Sequence, residues 1–206
     1  MHPSFPKKYI NELAFIYKQM DQAYLDAANA YDFHCNGCKD NCCYTRFFHH
    51  TYIEFQYLMH GFKQLSDNLQ SEIIKAAEQV CEKTNEQLAE NKSVRLMCPL
   101  NEDGKCILYD YRPLICRLHG VAHELTFPGQ PTQYTPGCEA FSQHYKLLNL
   151  NDYHPLDRTP HYTRMGLLEK SYRTEFQINQ RFKKTIAEMI VLSKTYFNDS
   201  SIGLAK

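Results

Sequence analysis

Between Cys35 and Cys43 the chain reads Cys-Asn-Gly-Cys-Lys-Asp-Asn-Cys-Cys, four cysteines in nine residues. A C-x2-C pair lets two sulfurs reach one ion from a tight turn. Asn36 and Gly37 supply the permissive backbone that such a turn needs, with amides free to point at sulfur. Side chains of adjacent residues diverge, so Cys42 and Cys43 serve two ions, or a bridge, more easily than they chelate one. The stretch 33–46 therefore reads as a loop, and the fold has to be assembled around it.

The remaining cysteines repeat the theme. Cys98-Pro99-Leu100, Gly104-Lys105-Cys106, Cys116-Arg117 and Gly137-Cys138 each set sulfur beside Pro, Gly or a charge, in turn-forming context. Pro113, in Tyr111-Arg112-Pro113-Leu114-Ile115-Cys116-Arg117, fits the first position of a helix. Cys116 then falls in or near its first turns, where the helix dipole favours a thiolate. Arg112 and Arg117 read as donors toward anionic sulfur or a bound cofactor, against the plainer reading of solvated surface charge. Cys81 differs, because it lies on the apolar face of a long helix away from any turn and reads as a small core hydrophobe. Eight candidate metal ligands remain: Cys35, Cys38, Cys42, Cys43, Cys98, Cys106, Cys116 and Cys138.

Nine cysteines in 206 residues fall well below the roughly 8–10% that marks a disulfide-held mini-protein. A chain this long buries its own core and needs no staples. Near the start, Asn11 and Glu12 interrupt any apolar run of signal-peptide length, and no stretch is long and apolar enough to cross a membrane. The chain reads as cytoplasmic, where clustered cysteines serve metal binding or catalysis rather than disulfides. The 23 basic and 23 acidic residues balance, which argues against a protein that gathers phosphate backbone. Neither nucleic acid nor membrane is an expected partner.

The fold class expected is mainly α, with helices packed around an irregular, loop-built, cysteine-rich metal site and little β-structure. Apolar residues at three- and four-residue spacing predict a helix over 7–31, through Ile10, Leu13, Ala14, Tyr17, Met20, Tyr24 and Leu25. A short apolar helix follows over 51–62. A longer one spans 66–91, with Ser66 as N-cap. Residues 98–137 read as irregular with short strands at most, and 139–150 return to helix. Pro155 and Pro160 mark a loop, and Phe176, Phe182, Ile186, Met189, Ile190 and Tyr196 predict a last helix over 173–197 with a frayed tail. Residues 1–206 form one domain on this reading, with the cysteine core at 33–140.

The set C-x2-C-x3-C-C, then C-P-L, G-K-C-I-L-Y and Y-R-P-L-I-C-R, resembles the bacterial cysteine-cluster proteins of the YkgJ type, described as zinc- or iron-chelating. The resemblance covers roughly residues 33–140 and rests on all eight cysteines with Arg112-Pro113. It implies metal binding, and the family's biochemical role is largely unassigned. A similar cysteine set occurs in a flagellin lysine N-methylase, a considerably longer enzyme. Residues 7–31 and 173–197 fall outside the resemblance.

Soft sulfur ligation selects zinc, Cu(I) or iron–sulfur over magnesium or calcium. Eight thiolates suit two closed tetrahedral zinc sites, or one four-iron cluster with four sulfurs over. Eight thiolates on two divalent ions leave an excess of about four negative charges, which gives Arg112 and Arg117 a role. His34, His49, His50, His119 and His123 are further donor candidates, and on a helix His119 and His123 share a face. No HExxH, GxSxG, P-loop or GxGxxG motif occurs. Three readings stay open: a metal-binding protein that acts structurally or through a protein partner, an iron or iron–sulfur enzyme, and an exported disulfide protein.

Overall fold

The computed structural model describes residues 5–35, 42–147 and 154–198. It is mainly helical, as the periodicity predicts. α1 (Lys7–Ala30) buries Tyr9, Leu13, Ile16, Tyr17, Met20 and Ala28 along one stripe, while Leu25 stands exposed. α2 (Tyr52–Phe62) begins at Thr51, whose hydroxyl accepts the Glu54 amide. α3 (Asp67–Ala89) is capped by Ser66, whose hydroxyl accepts the Leu69 amide at 3.4 Å.

Two apolar cores share α2. Its Ile53 and Tyr57 join α1 and the buried face of α6 (Thr159–Glu175), while its Phe55, Leu58, Met59 and Phe62 join Ile73 and Ala77 of α3 and Met189 and Ile190 of α7 (Ile186–Asn198). A helix apolar on every side has to be enclosed, and α2 is buried along almost its whole length. Gly61 meets the Tyr111 ring so closely that no Cβ fits between them.

α4 (Leu114–Leu118) adds Leu114 and Leu118 to the first core, and the described residues include five short strands. β1 (Asn101–Glu102) and β2 (Lys105–Cys106) form a hairpin closed by Asp103 and Gly104, at φ 48° and 83°. Positive φ at both central residues is the Asp-Gly hairpin signature. β3 (His123–Leu125) pairs antiparallel with β4 (Gln133–Thr135) and parallel with β5 (Leu156–Asp157). α5 (Glu139–Leu147) follows as expected. Residues 148–150 of its anticipated extent, and the tail beyond Asn198, lie outside the described residues.

The C-terminal third differs from the sequence reading. In place of one helix over 173–197 there are two, α6 and α7. The chain leaves α6 at Phe176 and turns through Gln177 at φ 53°. Phe182 then reaches the second core from the connecting segment. Pro160 does not mark a loop, because it occupies the first turn of α6, where its missing N–H costs nothing. α7 opens with a capping box: the Thr185 amide donates to the Glu188 carboxylate at 2.7 Å and the Glu188 amide to the Thr185 hydroxyl at 3.3 Å.

Two histidines, His49 fully buried and His123 partly so, make the fold acid-sensitive. His49 bridges Lys184 through backbone bonds of 2.8 and 3.0 Å, and neither ring nitrogen has a partner among the described residues. Burial, with His50 adding, pushes its pKa down to about 3. Burial and the Arg158 charge push His123 down to about 4. Both rings fold neutral, whereas the unfolded chain takes up protons near pH 6.5. Their stabilisation is therefore complete above about pH 6.5 and lost as pH falls toward the folded values, at up to about 1.4 kcal/mol per pH unit for each ring. Urea midpoints are expected to drop between about pH 6.5 and 4.5, with a shallower slope in His49→Leu. Identical slopes in the two proteins would contradict this.

Candidate metal centre

Local backbone devices present the sulfurs. Cys42–Tyr44 form one 3-10 turn, and the Cys43 carbonyl accepts the Cys98 amide at 2.9 Å, stitching the early motif to the second cysteine region. In Cys98-Pro99-Leu100 the Leu100 amide donates to the Cys98 sulfur, and in Cys106-Ile107-Leu108 the Leu108 amide donates to the Cys106 sulfur. Leu100 and Leu108 are anchored in the second core, so apolar burial aims both amides. Amide donors favour thiolate over thiol, the form a metal requires. Cys138 takes the N-cap position of α5, its sulfur accepting the Phe141 amide at 3.4 Å.

The thiols interact in two neighbourhoods. Burial drives the Cys116 thiol well above its ordinary value, and Cys98, Cys106 and Cys43 add to it while Arg112 opposes. Pro113 stands at the N-cap of α4, with Cys116 in the first turn. The helix dipole expected to favour thiolate there is outweighed by desolvation. Burial likewise raises Cys98 to about 12 and Cys106 to about 11. Cys43 goes the other way, to about 6, because Cys42 donates a hydrogen bond to it, with the Asn101 amide and Arg112 adding. Cys42 is correspondingly raised, and it also feels Cys116 and Cys35. The second neighbourhood surrounds the Tyr24 phenol, which burial raises and to which Cys35, Cys138 and Cys42 all contribute.

Electrostatically, Cys98, Cys106 and Cys43 act on Cys116 with Arg112 opposing, Cys35, Cys138 and Cys42 act on Tyr24, and Cys42 belongs to both neighbourhoods through its hydrogen bond to Cys43. Cys38, with Asn36 and Gly37, lies outside the described residues. All described cysteines are free thiols. Among the described residues no group of three or more His, Cys, Asp or Glu side chains stands ready-arranged to hold a metal ion.

The two arginines separate. Arg112 stacks on Tyr109 at 3.5 Å from the ring centroid and lends its charge to the Cys43, Cys106 and Cys116 thiols. Arg117 donates to Asp21 at 2.6 Å, to the Arg112 carbonyl at 2.8 Å and to the Asp110 carbonyl, and lies over the Tyr17 ring. It is neither a solvated surface charge nor chiefly a thiol partner, because its donors brace the 110–117 segment against α1.

The histidines gather less than their spacing suggests. His119 ends α4 in extended conformation and meets Phe47 edge-on with ring centroids 5.1 Å apart, and His123 sits in β3, so no helix face unites them. His34 and His50 are exposed. Sequence reasoning overlooked Asn101, Tyr24 and Arg158. Only the Asp103-Gly104 turn, which places Asn101 opposite Cys106, was a readable signal.

Cys81, on α3, packs against the second core, and its charged neighbours are Glu188, Lys184 and Glu78 rather than another thiol. Cys81→Ala is expected to leave metal content per chain unchanged by elemental analysis. A stoichiometric loss would show that Cys81 belongs to the ligand set.

No family model, curated protein or solved structure matches this chain. No helix among the described residues is long and apolar enough to cross a membrane.

Proposed function

We propose that this chain is a metal-binding cysteine-cluster protein that chelates zinc or iron through its cysteines, as its resemblance to the YkgJ-type proteins implies. The observation that carries the reading is the mutual environment of Cys43, Cys98, Cys106 and Cys116. Cys98, Cys106 and Cys43 act electrostatically on the buried Cys116 thiol, backbone amides point at the Cys98 and Cys106 sulfurs, and the Arg112 charge favours thiolate at Cys43, Cys106 and Cys116. Burial is costly for such a group in its anionic form: desolvation raises Cys98, Cys106 and Cys116 and outweighs the Arg112 charge that acts on the last two. A soft divalent ion converts the same arrangement into an attractive one.

Cys35, Cys42 and Cys138, with Cys38 as the fourth expected donor, form the second ligand set. Eight sulfurs in two sets favour two zinc ions or iron–sulfur clusters equally, and colour decides between them. The experiment is anaerobic purification with metal and acid-labile sulfide quantified per chain. About two zinc ions in colourless protein support closed thiolate sites. Brown protein with iron and sulfide supports a cluster protein and opens the redox or protein-modifying reading. Protein without metal, whose thiols appear only after reduction, overturns the proposal in favour of disulfides.

A further inference from the structure

The C-terminal half of α6 and the chain leaving it border an open cavity of about 630 Å³, a volume suited to a small ligand. Gly166, Lys170, Arg173, Thr174, Gln177 and Asn179 line it, with no cysteine among the lining residues. Gly166, Lys170 and Arg173 follow at steps of four and three, so one face of the helix carries them. Lys170 and Arg173 are thus neighbours of like charge, and among the described residues neither forms an ion pair with Asp or Glu. Glu169 also lines the cavity, but its carboxylate is occupied by the Tyr52 and Ile53 amides, each at 3.1 Å. Two cations against that one carboxylate leave the lining with positive charge in excess. The carbonyl end of a helix opposes this by only about half a charge. Here the Tyr172, Arg173 and Thr174 carbonyls are already taken by the Phe176, Ile178 and Gln177 amides.

Arg173 is held in place. Its carbonyl accepts the Ile178 amide at 2.9 Å, and its Nε donates to the Ile178 carbonyl at 3.1 Å. Ile178 in turn packs against the first core. The two terminal amino groups of the guanidinium meet no acceptor among the described residues. A fork fixed in this way loses little freedom when it closes on an oxyanion. Two other lining residues are poor choices for the fold alone. Gly166 stands inside a helix, where only proline is less favourable. A Cβ there would meet no atom within 4 Å, so no close packing calls for the glycine, and it keeps the cavity wall clear. Gln177 adopts φ 53°, the left-handed position that suits glycine after a helix end, yet it brings a side-chain amide to the lining that glycine would lack. Local rules that fail together around one cavity point to function rather than folding.

We propose that this cavity binds a small organic phosphate monoester, its oxyanion held by Arg173 and Lys170 with Thr174, Gln177 and Asn179 as further donors. A phosphate monoester offers three strong acceptor oxygens, which answers this set of donors better than the two oxygens of a carboxylate. Its negative charge relieves the repulsion between the two cations, and the clear wall at Gly166 leaves room for the esterified group. The site is separate from the cysteines and does not rest on the metal-binding reading.

The test is titration of the full chain with glycerol 3-phosphate, followed by amide NMR shifts, with sodium chloride at matched ionic strength as the control. Saturable shifts over residues 166–179 that chloride does not reproduce are expected. Arg173→Gln should weaken binding by about tenfold or more, the loss of a charge-assisted hydrogen bond. Because Arg173 also braces the end of α6, a second variant spares the fold. Gly166→Leu puts a better helix former where the space is open, so its melting temperature should equal or exceed that of the wild type. Its side chain enters the cavity, and affinity should again fall by about tenfold or more. Folded Gly166→Leu with wild-type affinity overturns the inference, as do shifts that chloride reproduces or that never saturate. Equal affinity for acetate overturns the assignment to a phosphate monoester. None of these outcomes bears on metal binding by the cysteines.

Discussion

Cys116→Ser is expected to lose one metal equivalent and much of the cooperative fold together. Cys116 is partly buried, and burial together with the charges of Cys98, Cys106 and Cys43 raises its thiol well above its ordinary value. Serine is near-isosteric but a hard, weakly acidic ligand that a soft ion rejects. Where site and fold form together, the metal's binding free energy, about 10 kcal/mol or more for a structural zinc site, is also folding free energy. The residue sits in the first turn of α4 between Leu114 and Leu118 of the first core. Disturbing it loosens that core as well as the site. Thermal unfolding of metal-loaded protein should show a fall well beyond the effect of a surface substitution. Chelator treatment of the wild-type protein should reproduce it. A Cys116→Ser protein with full metal content and an unshifted transition would remove Cys116 from the ligand set.

That prediction depends on information the sequence carried in unequal measure. The helices whose apolar residues recur at a steady helical period, α1 and α3, were legible to within a residue or two. Ser66 announces the start of α3 through the Leu69 amide it caps, and Thr51 that of α2 through the Glu54 amide. The expectation that Cys42 and Cys43 diverge does not hold for their side chains, because Cys42 donates a hydrogen bond to Cys43 and also feels Cys116. α6 was not legible, because its buried stripe includes His161 and Glu169 beside Met165, Leu168 and Tyr172. Polar residues in an apolar stripe hide the period, and Pro160 looks like a breaker when it is an opener. The separate start of α7 was readable in Thr185-x-x-Glu188, but apolar residues on both sides of the connection mimic one continuous helix.

The sites themselves depend on tertiary contacts that no local pattern encodes. Arg117 adjoins a cysteine in sequence yet turns to Asp21, ninety-six positions away. Arg158, distant in sequence from most of the cysteines, contributes its charge to the neighbourhood of Tyr24. Nothing local to Arg117 announces Asp21 as its partner, although it also lowers the Cys106 thiol, and nothing local to Arg158 announces Tyr24.

Glu169→Ala is expected to be among the most destabilising single substitutions outside the cysteines, through a relay of helix caps. The Glu169 carboxylate, carried by α6, accepts the amides of Tyr52 and Ile53, each at 3.1 Å. These are the first two amides of α2, which have no intrahelical partner. Thr51 takes the third, from Glu54, at 3.3 Å. The Glu54 carboxylate, buried and bonded to the Thr51 hydroxyl at 2.6 Å, in turn accepts the Leu114 amide at 2.8 Å at the start of α4, the helix of Cys116. Alanine at 169 leaves the buried Ile53 amide and the half-buried Tyr52 amide unsatisfied, together worth about 2–4 kcal/mol. The expected loss is therefore about 2–4 kcal/mol, or some 5–15 °C in Tm for a domain of this size. Glu169→Gln keeps one acceptor but turns an amino group toward the second donor, so it should recover less than half of that loss. Burial raises the Glu169 carboxyl pKa, opposed by the two amide bonds, and a protonated carboxyl still accepts through its carbonyl. The effect of Glu169→Ala should consequently persist below pH 5, unlike that of a surface ion pair. Circular-dichroism melts of both variants, with hydrogen exchange at Tyr52 and Ile53, measure it. A shift under about 0.5 kcal/mol with those amides still protected would show that α2 holds its first turn without Glu169.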